Sequence, residues 1–174
     1  MNNVIFTGLM GAGKSTVGRL LAKRRRMVFF DSDRVIEECM GVDIPTIFEI
    51  EGEAGFRDRE QEVIKDLAAR SNIIIATGGG SLLREENRQC LSRSGIIVYL
   101  RASPENLYAR IKHDKNRPLM QTKNPLQTLK NILKEREQAY IETADVIITT
   151  GRDRVIITVR QIERALEQLI EMKP

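Results

Sequence analysis

The chain has 174 residues, 41% of them hydrophobic and 30% charged, with a net charge of +4 from 28 basic and 24 acidic side chains. That length predicts one domain with a real core, and the composition is that of a soluble globular protein. Aromatic residues make up only 5% and Trp is absent, which speaks against stacking platforms for nucleic-acid bases. The basic surplus fits equally well a site built for phosphates and carboxylates. Cys39 and Cys90 lack metal-ligand spacing and read as reduced thiols on helices, although sequence alone leaves a disulfide open. No secretory signal precedes the first motif and no apolar run approaches membrane-spanning length. A cytoplasmic protein with no membrane partner is therefore expected.

The first element is a short apolar strand at 4–6, followed at 8–16 by G-L-M-G-A-G-K-S-T. Gly8, Gly13, Lys14 and Ser15 satisfy G-x-x-x-x-G-K-[ST], and apolar residues at 17–21 continue at helical spacing, predicting a helix over 15–25. Glycines at 11 and 13 let backbone N–H groups turn inward around a phosphate, and the helix directs the positive end of its dipole to the same place. The expected cradle runs through Gly11, Ala12, Gly13, Lys14, Ser15 and Thr16. Lys14 reaches the β- and γ-phosphates, and the Ser15 hydroxyl is suited to Mg²⁺. This pattern predicts binding of a nucleoside triphosphate.

A second strand at 27–30 ends in Asp31-Ser32-Asp33. In a doubly wound sheet, ligands lie beyond the carboxyl ends of the strands, so both carboxylates are expected at the site. A helix N-cap is the competing role for either. After a helix over 33–40, residues 31–62 insert at least two helices between the second and third strands, punctuated by Gly41, Pro45, Gly52 and Gly55. A helix over 57–70 opens with Arg57, which follows an aromatic and is placed to turn into a cleft; Arg59 reads as solvated. The third strand, 73–76, runs into Thr77-Gly78-Gly79-Gly80. Three glycines strip side chains from that strand end and expose backbone N–H groups to a ligand.

A helix over 83–92, a strand over 96–100 and a helix over 104–113 follow, the last with Ser103 as cap and Pro104 in the first turn. Residues 111–124 are polar and basic and read as a lid, with a solvated loop as the alternative. Arg117 is a candidate phosphate clamp there, and His113 a surface residue. The helix over 125–142 puts Arg136 and Tyr140 on one face. The fifth strand, 146–149, precedes Arg152, where nucleotide-binding folds often hold the base, and a final helix spans 154–171. Near-continuous apolar strands separated by helices predict an α/β sandwich, a parallel sheet covered on both faces.

Taken together, G-L-M-G-A-G-K-S-T, F-F-D-S-D at 29–33, F-R-x-x-E at 56–60, T-G-G-G at 77–80, R-P-L at 117–119 and R-x-x-x-Y at 136–140 resemble the shikimate kinase family across essentially the whole chain. That resemblance implies a five-stranded P-loop sheet of order 2-3-1-4-5, a monomer, and MgATP-dependent phosphorylation of the 3-hydroxyl of shikimate. It implies that Asp33 accepts from ring hydroxyls, that Arg57 and Arg136 bind the substrate carboxylate, and that Gly79 adds a backbone contact between Gly78 and Gly80. It also implies that Arg117 closes on the phosphates, that Arg110 and Arg152 flank the adenine, and that Asp31 stands near Mg²⁺, with Lys14, Asp31, Asp33 and Arg117 forming the catalytic set.

The nearest alternative is another small-molecule P-loop kinase, of gluconate or nucleoside-monophosphate type. A GTPase is disfavoured because no N-K-x-D element is present. A nucleic-acid-stimulated NTPase would use the basic charge as its footprint.

Overall fold

The computed structural model describes residues 3–113, 122–151 and 153–172. Strands β1 (Asn3–Thr7), β2 (Val28–Asp31), β3 (Ile73–Ala76), β4 (Gly95–Arg101) and β5 (Val146–Thr149) form one sheet of order β2-β3-β1-β4-β5. Every pairing is parallel, with Val4 opposite Ile74 and Ile96, and Ile5 opposite Ile75 and Ile97. The expected strand order is the observed one.

The alternation of side chains along β1 divides the core in two. Val4 and Phe6, with Ile74, Val98 and Leu100, pack on α1 (Lys14–Arg25), α5 (Pro104–Ile111), α6 (Pro125–Thr143) and α7 (Val155–Met172). Ile5, with Ile75, Ile97 and Tyr99, packs on α2 (Ser32–Met40), α3 (Ile44–Ala68) and α4 (Glu85–Ser94). β1, β3 and most of β4 are buried on both faces, which explains their continuous apolar sequences. Each fully buried Ile or Phe contributes about 1.5–3 kcal/mol of transfer free energy.

Asn3 is the polar exception at the start of β1. Its side-chain amide donates to Arg70 O at 2.8 Å while its Oδ1 accepts from Ile73 N at 3.1 Å. It thereby fixes β3 beside β1 and sets how far the glycines after β3 reach above the sheet.

The inserted region differs from the sequence expectation. The second helix there begins well before residue 57: α3 starts at Ile44, capped by Asp43, whose Oδ1 accepts from Thr46 N at 3.0 Å. Gly52, at φ 69° and ψ −174°, breaks it into two helical arms, a backbone geometry that side-chain-bearing residues resist. Gly55 is not a break; it lies inside the second arm, where a Cβ would meet that of Glu51 at 2.4 Å. At the other end, Ile111 is a buried member of α5 and Asn124 caps α6 by accepting from Gln127 N at 3.1 Å. Both ends of the segment expected as a lid therefore belong to helices, and 114–121 fall outside the described residues. No helix among the described residues is long and apolar enough to cross a membrane.

Candidate active site

The loop between β1 and α1 turns on three glycines of positive φ: Gly8 at 134°, Gly11 at 80° and Gly13 at 95°. Closeness reinforces conformation at Gly8, where a Cβ would stand 2.6 Å from Leu100 O. A reverse turn closes within the loop, Ala12 N donating to Leu9 O at 3.1 Å. The N–H groups of Gly11 and Gly13 find no hydrogen-bond partner among the described residues. Lys14 arches back over the loop, its Nζ donating to Gly8 O at 2.7 Å and Leu9 O at 3.1 Å. An ammonium held at the mouth of a ring of amides makes a concave site of positive potential, which is what a polyphosphate requires.

The carboxyl end of β2 faces this loop. Ser15 Oγ donates to Asp31 Oδ2 at 2.6 Å, and Asp31 Oδ1 accepts from Asp33 N at 3.2 Å. Asp31 is thus both the N-cap of α2 and a neighbour of the loop hydroxyl. A cavity of about 590 Å³ lies here, lined among others by Lys14, Ser15, Asp31, Asp33, Arg34 and Gly79. Burial pushes the Asp33 carboxyl up to about 6, with Asp31 and Glu60 adding repulsion that Lys14 partly offsets.

On the far side of Asp33, the glycines after β3 are enclosed by charged groups. A Cβ on Gly78 would fall 2.6 Å from Asp33 Oδ1 and 3.0 Å from Glu60 Oε1. On Gly80 it would fall 2.5 Å from Arg57 Nη2, and on Gly79 it would lie 3.6 Å from Arg136 Nη1. The two guanidiniums thus converge on one short stretch of side-chain-free backbone, and the N–H groups of Gly79 and Gly80 have no partner among the described residues. Arg57 is turned inward, its side chain 13% exposed against 41% for Arg59. It is held by Glu60, which is 1% exposed and accepts from Arg57 Nη1 at 2.8 Å. Tyr140, one turn beyond Arg136, donates its hydroxyl to Gly79 O. Burial raises that phenol to about 12, so it stays a donor.

A second cavity of about 440 Å³ adjoins the loop, lined in part by Ala12, Thr16, Asn106, Arg110, Thr150 and Asp153. The two cavities share Gly13, Thr16 and Arg110. Arg110 ties the walls together, donating to Gly11 O at 3.0 Å, Thr150 Oγ1 at 3.3 Å and Gly151 O.

Of the site residues expected from the sequence, Gly11 to Thr16, Asp31, Asp33, Gly79 and Arg110 line one or both cavities. Gly78, Gly80, Arg57 and Arg136 line neither but gather with Gly79 at the glycine turn, and Arg117 and Arg152 lie outside the described residues. His113 is exposed and both cysteines are free. Sequence reasoning gave no role to Ser32, Glu60, Ser81, Arg34 or Asn106. Glu60 was findable, because it stands three residues after Arg57 on a helix, the spacing of an ion pair.

Among the described residues no group of three or more His, Cys, Asp and Glu side chains forms a ready-made metal cage. Ser15 Oγ and Asp31 Oδ2 instead place two hard oxygen atoms side by side at the mouth of a phosphate-type loop. Such a pair fits Mg²⁺, which takes one or two protein ligands and completes its shell with phosphate oxygens and water.

The model of the shikimate kinase family matches residues 10–171. The chain is 55% identical over 165 residues to a shikimate kinase of Burkholderia lata, covering 95% of this chain and 90% of that one. It is 53% identical over 166 residues to one of Nitrosococcus oceani, covering 95% and 87%. Among solved structures it superposes on a shikimate kinase from Acinetobacter baumannii in complex with shikimate, with a TM-score of 0.93 and 41% identity over 100% of this chain and 96% of that one. A gluconokinase from Sinorhizobium meliloti shares the fold at a TM-score of 0.59 and 20% identity, covering 98% and 94%.

Proposed function

The chain belongs to the shikimate kinase family, and from that premise we propose that it transfers the γ-phosphoryl group of ATP to the 3-hydroxyl of shikimate. The products are shikimate 3-phosphate and ADP, and the reaction is a step of aromatic amino-acid biosynthesis. One observation carries the choice of acceptor: Arg57 and Arg136 converge on Gly79 and Gly80 beside the phosphate loop. Two guanidiniums over bare backbone fit a small planar anion, bound by charge-assisted hydrogen bonds. A nucleotide acceptor would need base-selective contacts, and gluconate shares only the fold-level likeness.

The roles follow from the chemistry of each group. Arg57, Arg136 and the Gly79 N–H bind the acceptor carboxylate, Gly78 and Gly80 shape the wall, and Asp33 accepts from the ring hydroxyls. Lys14 and the loop amides from Gly11 to Thr16 hold the phosphates and stabilise charge on the transferring group. Asp33 accepts a proton from the attacking hydroxyl more readily than an ordinary aspartate because burial has raised its basicity. Arg110 and the cavity beside it take the adenine. Ser15 and Asp31 hold Mg²⁺, which when bound polarises the phosphoryl oxygens. The insertion 31–62 supplies the acceptor-binding wall, and the enzyme acts as a monomer.

The test is ADP release coupled to an optical readout, with MgATP and in turn shikimate, quinate, gluconate, nucleoside monophosphates and RNA. Release dependent on shikimate is expected. Release dependent on another acceptor, with shikimate inert, removes the proposal.

A further inference from the structure

Two side chains with no exposed surface, Ser32 and Ser81, stand at opposite ends of the glycine turn. Ser32 separates the two aspartates and its Oγ accepts from Gly78 N at 3.0 Å. Ser81 closes the turn, its N donating to Gly78 O at 3.2 Å and its Oγ to Glu60 Oε1 at 2.6 Å. The other oxygen of Glu60 takes Arg57 Nη1 at 2.8 Å. Asn87, also buried, secures Ser81 from below by donating to its carbonyl at 2.9 Å.

These bonds form one path. Asp33 is covalently next to Ser32, Ser32 holds one end of the Gly78 peptide, Ser81 holds the next, and Ser81 reaches Arg57 through Glu60. The remaining carbonyls of the turn are also tied down, Gly79 O by Tyr140 and Gly80 O by Leu83 N at 3.0 Å. We propose that Ser32 and Ser81 are positioning residues that set the distance between the hydroxyl-reading carboxylate of Asp33 and the carboxylate-reading guanidinium of Arg57. The glycine turn is the gauge, and the two serines fix its ends. The inference rests on the acceptor site described under Proposed function.

The chemistry of the two contacts differs, and so do their effects. Ser81 donates to an ionised, buried acid. Without that bond the Glu60 carboxylate turns wholly to Arg57, and the guanidinium is drawn off the acceptor. Loss of a hydrogen bond to a charged group of this kind corresponds to about 10–100-fold in binding. Ser32 to the Gly78 peptide is a neutral contact, and its loss corresponds to about fivefold. Neither hydroxyl touches the nucleotide loop, so the KM for ATP stays unchanged.

The experiment measures steady-state kinetics of the unmutated enzyme, Ser32→Ala, Ser81→Ala and Ser81→Thr with shikimate and quinate, alongside thermal midpoints. Inert unmutated enzyme with shikimate sinks the functional reading itself, before any variant is considered. With an active parent, the proposal expects a raised KM for shikimate in both alanine variants at constant KM for ATP. It also expects a smaller ratio of kcat/KM between shikimate and quinate, since a slack gauge no longer measures the span from acid to hydroxyl. Ser81→Thr, which keeps the hydroxyl, restores most of the loss. Should Ser81→Ala fail to fold, Ser32→Ala and Ser81→Thr carry the same comparison. Equal falls in kcat with both substrates, with the KM for shikimate and the ratio unchanged, mark a purely structural role and overturn the proposal.

Discussion

The hydroxyl of Ser15 and the carboxylate of Asp31 meet at 2.6 Å, joining the first turn of α1 to the end of β2 across a sheet in which β1 and β2 are not neighbours. The contact arises because all strands run parallel and therefore bring their carboxyl ends to one edge. It also predicts where the metal is felt. Asp31→Asn keeps an N-cap for α2, since asparagine caps as well as aspartate, but removes the anionic ligand. The Mg²⁺ concentration for half-maximal activity is expected to rise about 10–100-fold, with the fold intact by circular dichroism. An unchanged magnesium titration would take this pair out of the metal site.

Lys14→Ala tests the phosphate loop. Nζ lies over the carbonyls of Gly8 and Leu9 rather than in the core, so its removal disturbs packing little but takes charge from the place where the phosphates gather. The turnover number is expected to fall by at least about 10²-fold, while the unfolding midpoint moves little. Single-turnover measurements with excess enzyme check this; near-normal turnover refutes the assignment.

If Asp33 takes the proton, it is expected to set the acid side of the pH profile. Its pKa is raised to about 6, chiefly by burial and then by Asp31, and only the ionised form can take a proton from the attacking hydroxyl. Shikimate kcat/KM is therefore expected to decline as pH falls through about 6, rather than near the ordinary aspartate value of 3.8. Stability runs the opposite way. The folded chain holds the proton more tightly than the unfolded one, so this contribution is fully present below pH 3.8 and is lost as pH rises through about 6. Placing the acid limb of kcat/KM near pH 4 in a rate profile would show that Asp33 is not the titrating group.

Gly80→Ala separates function from fold. The φ at Gly80 is −104°, which alanine adopts freely, so the backbone is not strained. The new methyl would fall 2.5 Å from Arg57 Nη2, the end of a flexible side chain that can swing aside. The expected result is a raised KM for shikimate with unchanged ATP affinity and a modestly lower melting temperature, since Arg57 loosens its hold on the buried Glu60. A KM equal to that of the parent would mean that Arg57 does not bind the acceptor from this position.

How far the sequence foretold these features depends on how local their causes are. The phosphate loop was legible because three positive-φ glycines and a following helix are properties of contiguous residues. So was the parallel sheet, whose doubly buried strands are apolar along their centres. The long reach of α3 back to Ile44 was not, because Gly52 and Gly55 look alike in sequence and only tertiary context makes one a break and the other a helix interior. Of the proposed acceptor site, the large charged members Asp33, Arg57 and Arg136 were named from the sequence, their roles through the family resemblance. Glu60 could have been found from its spacing to Arg57, whereas Ser32 and Ser81 escaped because a buried hydroxyl acquires its partner from a distant segment. Gly78 and Ser32, for example, are 46 residues apart.

The most direct measurement of the central claim, that this site reads a carboxylate with Arg57 and Arg136, compares shikimate with its carboxamide. The unmutated enzyme, Arg57→Ala, Arg136→Ala and the double variant are assayed with both acceptors. Truncating one partner of a buried charged contact corresponds to about 2–5 kcal/mol. Each single variant should therefore lose most of its shikimate kcat/KM while keeping its KM for MgATP. The losses should fall short of additive in the double variant, because the second truncation removes a contact the first has already weakened. The account predicts that the unmutated enzyme strongly prefers the acid and that the preference disappears in the variants. Carboxamide phosphorylated as efficiently as shikimate by the unmutated enzyme would contradict it.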